Sequence, residues 1–235
     1  MAGIIFQEEG DFHAGALILV DKPLHWTSFD IVNKIRSCLK PLCGNLKVGH
    51  AGTLDPLATG LVMVCTGKWT KRIEEFMADE KEYVAGIRFG AVTPSYDLET
   101  QPEGSFPTGH IDEACLQETL RGFLGVISQV PPAYSAIRVG GDRAYKKARK
   151  GGALDIPPRE VLVKELEILD FTPPLLSLRV VCGKGTYIRS LANDIGRACR
   201  SGAYLAALRR TRNGRFRVEE ANKMEELVAF LQKKQ

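Results

Sequence analysis

The chain has 235 residues, 44% of them hydrophobic, with a formal net charge of +4, a composition that suits one substantial core. No apolar stretch reaches the roughly 18 residues of a membrane span, and the acidic start (Glu8, Glu9, Asp11) is unlike a secretory signal. Six scattered cysteines without a Cys-x-x-Cys pair and four isolated histidines point to reduced thiols in a cytoplasmic protein, with neither a zinc site nor a disulfide framework.

Ala16 to Val20 reads as a strand stopped at Asp21-Lys22-Pro23. Thr27 and Ser28 supply cap oxygens for a helix whose Phe29, Val32, Ile35 and Leu39 recur at helical spacing. Two apolar segments, Leu46 to Val48 and Leu61 to Cys65, read as buried strands bracketing the loop Gly49 to Gly60. Thr70 to Met77 suggests a short helix. Tyr83, Ala85, Ile87 and Phe89 alternate as in a half-buried strand. Asp112 opens a helix through Phe123, and Ile127 to Val130 is a strand ended by two prolines. Ser135 to Gly152, with a Gly140-Gly141 turn, reads as a basic excursion from the core. Glu160 to Phe171 and Leu176 to Cys182 pair across Thr172-Pro173-Pro174. Ile188, Leu191, Ile195 and Cys199 mark a helix face, Tyr204 to Leu208 a last strand, and Met224 to Leu231 a terminal helix. This irregular alternation lacks a steady βα rhythm and predicts an α+β domain.

Charge is unevenly spread. Residues 184–217 carry net +8, residues 138–150 net +5 and the remainder net −9. Each basic run alone can be a solvated face; if the two share a surface, they suit a polyanion. Gly60 to Lys68 has the wrong spacing for a P-loop, and Trp69 stands where Ser or Thr is required. Nucleotide hydrolysis is therefore not expected.

In Gly49-His50-Ala51-Gly52-Thr53-Leu54-Asp55-Pro56 the glycines permit a tight turn, and Pro56 biases Asp55 toward extended backbone. An Asp so placed is either a turn residue capping an amide or an acid presented on a stiff loop. A nearby guanidinium would hold such a carboxylate ionised, ready to act as nucleophile or base. Tyr83 and Arg189 are candidates to join it, each with a duller alternative: a core tyrosine and a surface helix arginine.

Several blocks, in order, resemble the TruB family of tRNA pseudouridine synthases: Leu17 to Pro23 with Trp26-Thr27-Ser28, Gly49 to Gly60, Lys81-Glu82-Tyr83, Gln129 to Ala136, Cys182 to Arg189, and Leu208-Arg209-Arg210-Thr211. The resemblance implies a pseudouridine-synthase fold: a mixed, mostly antiparallel central sheet flanked by helices, with an RNA-gripping insertion at about 124–152. It implies a single catalytic domain over 10–235 with a short tail at 219–235, no PUA domain and no cofactor. The reaction is isomerisation of uridine at nucleotide 55 of the tRNA T arm, the base being detached from C1′, turned and rejoined through C5.

In that scheme Asp55 is the essential carboxylate, attacking ribose or uracil or assisting elimination, and Arg189 pairs with it. Tyr83 lies against the uracil and is the candidate base of an elimination route. Tyr187 and Leu208 wall the pocket, Lys22 with Pro23 supports its floor, and Lys184 joins the substrate-binding set. His50 fills the stack vacated by the flipped uridine. Arg138, Arg143, Lys146, Lys147, Arg149, Arg209 and Arg210 are expected on RNA. The tRNA T stem-loop is the expected partner of a cytoplasmic monomer, without membrane or guide RNA. His25 departs from the family pattern, where glycine is commoner. The competing expectation is a tRNA-binding or tRNA-folding protein with secondary or lost catalysis; an Asp-dependent hydrolase would need a metal cluster or second carboxylate that the motifs lack.

Overall fold

The computed structural model describes residues 3–135, 137–139, 142–144 and 155–233, with backbone alone at 138–139 and 142–143. In chain order its strands are β1 (Ile4–Phe6), β2 (Ala16–Lys22), β3 (Val48–Ala51), β4 (Ala58–Thr66), β5 (Lys81–Phe89), β6 (Gly125–Gln129), β7 (Arg138–Val139), β8 (Asp142–Arg143), β9 (Arg159–Thr172), β10 (Leu175–Cys182), β11 (Ala203–Asn213), β12 (Phe216–Arg217) and β13 (Asn222–Lys223). The helices are α1 (Ser28–Cys43), α2 (Ile73–Ala78), α3 (Glu113–Arg121), α4 (Ile188–Ala198) and α5 (Met224–Lys233). Most strand pairs are antiparallel, and β4 with β11 and β2 with β13 run parallel. The α+β expectation holds.

The chain divides into two compact units, residues 1–83 with 208–235, and residues 84–207. In the first, β2 pairs with β4 from Leu17↔Cys65 to Lys22↔Gly60. The other edge of β4 is shared: β3 takes Met63 to Thr66, and β11 takes Ala58 to Gly60. Leu17, Leu19, Ala51, Leu61, Met63, Cys65, Phe76, Phe216 and Val218 form one apolar cluster. Thr27 caps α1 in a reciprocal pair with Asp30, and Ile31, Val32, Ile35, Cys38 and Leu39 are buried. Phe29, expected on that inward face, is 59% exposed. Positions 31, 32, 35, 38 and 39 close a stripe that position 29 falls outside.

In the second unit β10 pairs with β9, and β6 pairs with β9 from Gly125↔Val163 to Gln129↔Arg159. Asp112 caps α3 by accepting from the Cys115 amide. The basic excursion includes a short hairpin, Arg138↔Arg143 and Val139↔Asp142. Lys146, Lys147, Arg149 and the Gly140-Gly141 pair lie outside the described residues. Two short strands, β12 and β13, follow the strand expected to be last. None of the six cysteines forms a disulfide with another. Among the described residues no helix is long and apolar enough to cross a membrane.

Candidate active site

The Asp55 loop spans residues 52–57, between β3 and β4, and four of its six residues are held by hydrogen bonds. Gly52 takes φ +85° and its carbonyl accepts from Arg210 Nη2 at 3.1 Å. Leu54 donates its amide to Ser28 Oγ at 2.9 Å, and Ser28 Oγ donates back to the Leu54 carbonyl at 3.3 Å. The Asp55 carbonyl accepts from the Ala58 amide at 3.0 Å, closing a turn, and the Pro56 carbonyl accepts from the His25 amide at 2.8 Å. A loop so held loses little further entropy when it presents its acid. Gly60, φ +102°, permits the next step, since a Cβ there would sit 2.2 Å from the Arg210 carbonyl oxygen. Only glycine lets β11 come so close to β4 at that point.

Lys22, at the end of β2, is fully buried and donates to the carbonyls of Pro23 (2.9 Å), Trp26 (2.5 Å) and Pro56 (3.3 Å). Its ammonium therefore ties the Asp55 loop to the segment entering α1. Burial pushes its pKa down to about 8, partly opposed by the charges of Asp55 and Asp30. The unfolded chain, with an ordinary lysine near 10.4, then holds the extra proton between pH about 8 and 10.4. In that window stability rises with pH, by up to about 1.4 kcal/mol per pH unit for this one group. Urea unfolding of the wild type and Lys22→Met across the window is expected to show the wild type gaining on the variant. A pH-independent difference would mean that Lys22 titrates normally.

His50 lies on β3, opposite Val64, so it stands on a strand and not in the turn itself. It is half-buried, and its Nδ1 is buried without a hydrogen-bond partner among the described residues. Burial first, and the Arg210 cation second, lower its pKa below the usual histidine range, which favours a neutral ring at pH 7. Leu208, half-buried, pairs in register with Ala58, three residues beyond Asp55. Tyr83 is buried on the face of β5 that also carries Ala85, Ile87 and Phe89.

Two arginines expected on RNA separate. Arg209 is half-exposed and forms a two-pronged pair with Asp21 at 2.8 and 3.0 Å. Arg210 is 1% exposed, and its Nε donates to the Leu61 carbonyl at 2.7 Å. Adjacent strand residues face opposite ways, so one arginine meets solvent and the other is an internal brace. The same sorting thins the basic run at 184–217. Arg189 is also buried, Arg212 is paired with Glu80 and Glu82, and the exposed members are Lys184, Arg197, Arg200, Arg215 and Arg217.

In the second unit Arg189 is 3% exposed, which overturns the surface-helix alternative. It donates to the carbonyls of Ser95 (3.2 Å) and Tyr134 (3.1 Å), and its Nε lies 3.6 Å from Asp97 Oδ2. Tyr187 precedes α4, and Gln129, itself buried, grips its backbone twice: Oε1 accepts from the Tyr187 amide at 2.8 Å and Nε2 donates to its carbonyl at 3.1 Å. Ser190 Oγ donates to the Val130 carbonyl at 2.7 Å. Asp97, Gln129 and Ser190 have no periodic or compositional signature to mark them, and Ser28, expected to help cap α1, leaves the cap to Thr27 and clasps Leu54 instead. Gln129 and Ser28 did, however, sit inside two of the motif blocks.

The family model for the N-terminal domain of TruB family pseudouridylate synthases matches residues 40–188, and that for the C-terminal domain of tRNA pseudouridylate synthase B matches 189–235. The chain belongs to the TruB family. This TruB-family chain is 49% identical over 223 residues to the tRNA pseudouridine synthase B of Phocaeicola vulgatus, covering 94% of itself and 95% of the relative. It is 52% identical over 216 residues to that of Bacteroides thetaiotaomicron, covering 89% and 90%. Among solved structures it is similar to a Cbf5-Nop10-Gar1 complex, with TM-score 0.71 and 27% identity over 98% of this chain and 64% of that one. An archaeal box H/ACA sRNP Nop10-Cbf5 complex matches with TM-score 0.68 and 28% identity over 94% and 54%. The fold is that of the pseudouridine synthases.

Proposed function

We infer that this chain is an isomerase that converts uridine to pseudouridine in the T arm of tRNA, acting alone as a monomer without guide RNA. Family membership at about half identity over nearly the whole length of both partners supports the reaction class. The observation that carries the site is the Asp55 loop, pinned at Gly52, Leu54 and Pro56 with a buried ammonium behind it.

The reaction breaks the N1–C1′ bond and forms C5–C1′, so C5 loses a proton and N1 gains one. A carboxylate is required either to hold the detached sugar or base or to assist elimination, and Asp55 is assigned that part. Arg189 as its paired cation, Tyr83 against the uracil, and Tyr187 and Leu208 as walls are roles taken from the family motifs that these residues match. Reaching the uridine means flipping it from the stack, at a cost of a few kcal/mol. His50, whose pKa burial lowers, offers a flat ring to the vacated place. Phosphate contacts fall to the exposed arginines and to the insertion, including Lys146, Lys147 and Arg149.

The test is to incubate a T stem-loop RNA with the purified chain and map pseudouridine. Conversion of the uridine at nucleotide 55 and of no other, with no other macromolecule present, is the expected result. Tight binding without any pseudouridine favours the tRNA-folding reading instead, which rests on the same basic surface.

A further inference from the structure

Beside the Asp55 loop, and entirely within the first unit, lies an open pocket of about 480 Å³ lined by His25, Trp26, Asp30, Asn33 and Lys34. That volume falls in the range of small-ligand sites, about 300–1,000 Å³. Nothing in the reaction scheme uses it. Leu24 and Phe29, which neighbour lining residues in the sequence, are 48% and 59% exposed. His25 has φ +68°, one of three non-glycine residues with positive φ among the described residues. A bulky residue held in the left-handed region is uncommon, and such outliers concentrate where a ligand is gripped.

The chemistry of the lining selects the occupant. His25 and Trp26 offer two π faces, and Lys34 offers a cation. Asn33 accepts from Arg36 through Oδ1 at 3.0 Å, which leaves its amide donors for an acceptor edge. Asp30, by contrast, is turned back on the chain and accepts from the Thr27 amide (2.8 Å) and hydroxyl (2.6 Å). Flat aromatic surface, one amide and one cation match a nucleobase with its phosphate, since stacking on aromatic rings is how unpaired bases are commonly held.

The pocket is also tied to the loop it would serve. The His25 amide donates to the Pro56 carbonyl at 2.8 Å, and the Lys22 ammonium bonds the carbonyls of both Trp26 and Pro56. An RNA strand that delivers a uridine to Asp55 carries its neighbouring nucleotides past this wall.

We propose that the His25–Trp26 pocket is a second nucleotide subsite, which receives the base adjacent to the isomerised uridine. The proposal rests on the RNA-modifying reading above. His25 is then a residue for substrate affinity, and its strained backbone is the cost of aiming the ring.

His25→Gly is the decisive variant, because glycine occupies φ +68° without strain and the fold is kept. Loss of stacking is expected to raise KM and the Kd for T-arm RNA about fivefold or more, and thermal unfolding checks that the fold persists. A second arm uses RNAs with an abasic site on the 5′ or the 3′ side of the target uridine. One of these should weaken wild-type binding as much as His25→Gly does, and should cost the variant nothing further. An unchanged Kd in His25→Gly, or fully additive effects for both abasic RNAs, overturns the subsite. Because binding is read without turnover, a wild type that binds but makes no pseudouridine fails the functional reading and leaves this result interpretable.

Discussion

Replacing Asp55 with Asn is expected to lower pseudouridine formation by at least about 10⁴-fold, while affinity for T-arm RNA stays within a few fold of the wild type. The side chain keeps its shape and loses only its charge, so a structural role would survive the change and a catalytic one would not. Single-turnover product mapping decides it; retention of more than a few per cent of the wild-type rate removes Asp55 from the chemistry. The substitution has a second, independent signature. The Asp55 charge raises the Lys22 pKa against the effect of burial, so without it the Lys22 pKa falls below about 8. The pH window in which the fold gains stability then opens at a lower pH, and a shift of the stability-against-pH curve would show that carboxylate and ammonium sense each other.

Arg210→Met is expected to be the most destabilising change near the site. It removes donors from the carbonyls of Leu61 and Gly52, which Met cannot replace. Buried carbonyls stripped of their partners cost about 1–3 kcal/mol each, so a loss of about 2–5 kcal/mol follows. For a chain of this size that corresponds to roughly 5–15 °C in Tm. The reason lies in the register. The edge of β4 passes from β11 at Ala58 to Gly60 to β3 at Met63 to Thr66, and the Arg210 guanidinium meets Leu61 just past the hand-over while also holding the Gly52 corner of the Asp55 loop. Turnover should therefore fall further than stability alone explains, and the His50 pKa should recover toward its usual value as the cation leaves. Arg209→Met, one residue away, gives up a half-exposed pair with Asp21, worth about 1 kcal/mol or less, and a long 3.5 Å contact to Thr59 Oγ1, and its effect should appear in RNA affinity. Equal Tm losses for the two variants would contradict the brace.

Much of this was legible in the chain itself. The alternation from Tyr83 to Phe89, the Thr27 and Asp112 caps and the apolar core strands follow from local rules of burial and hydrogen bonding, which act over a few residues and leave a periodic trace. The motif blocks carried the family, and the role proposed for Asp55 rests on them. What the sequence could not show is which of two neighbouring arginines turns inward, since Arg209 and Arg210 differ only in the strand face they occupy. Nor could it show that Phe29 falls outside the buried stripe of α1, that Gln129 grips the backbone before Arg189, or that Ser28 clasps Leu54 from 26 residues away. Those choices depend on strand register and on buried donors finding acceptors far along the chain. The tertiary structure alone decides them, because an unpaired polar group costs most where water cannot reach it.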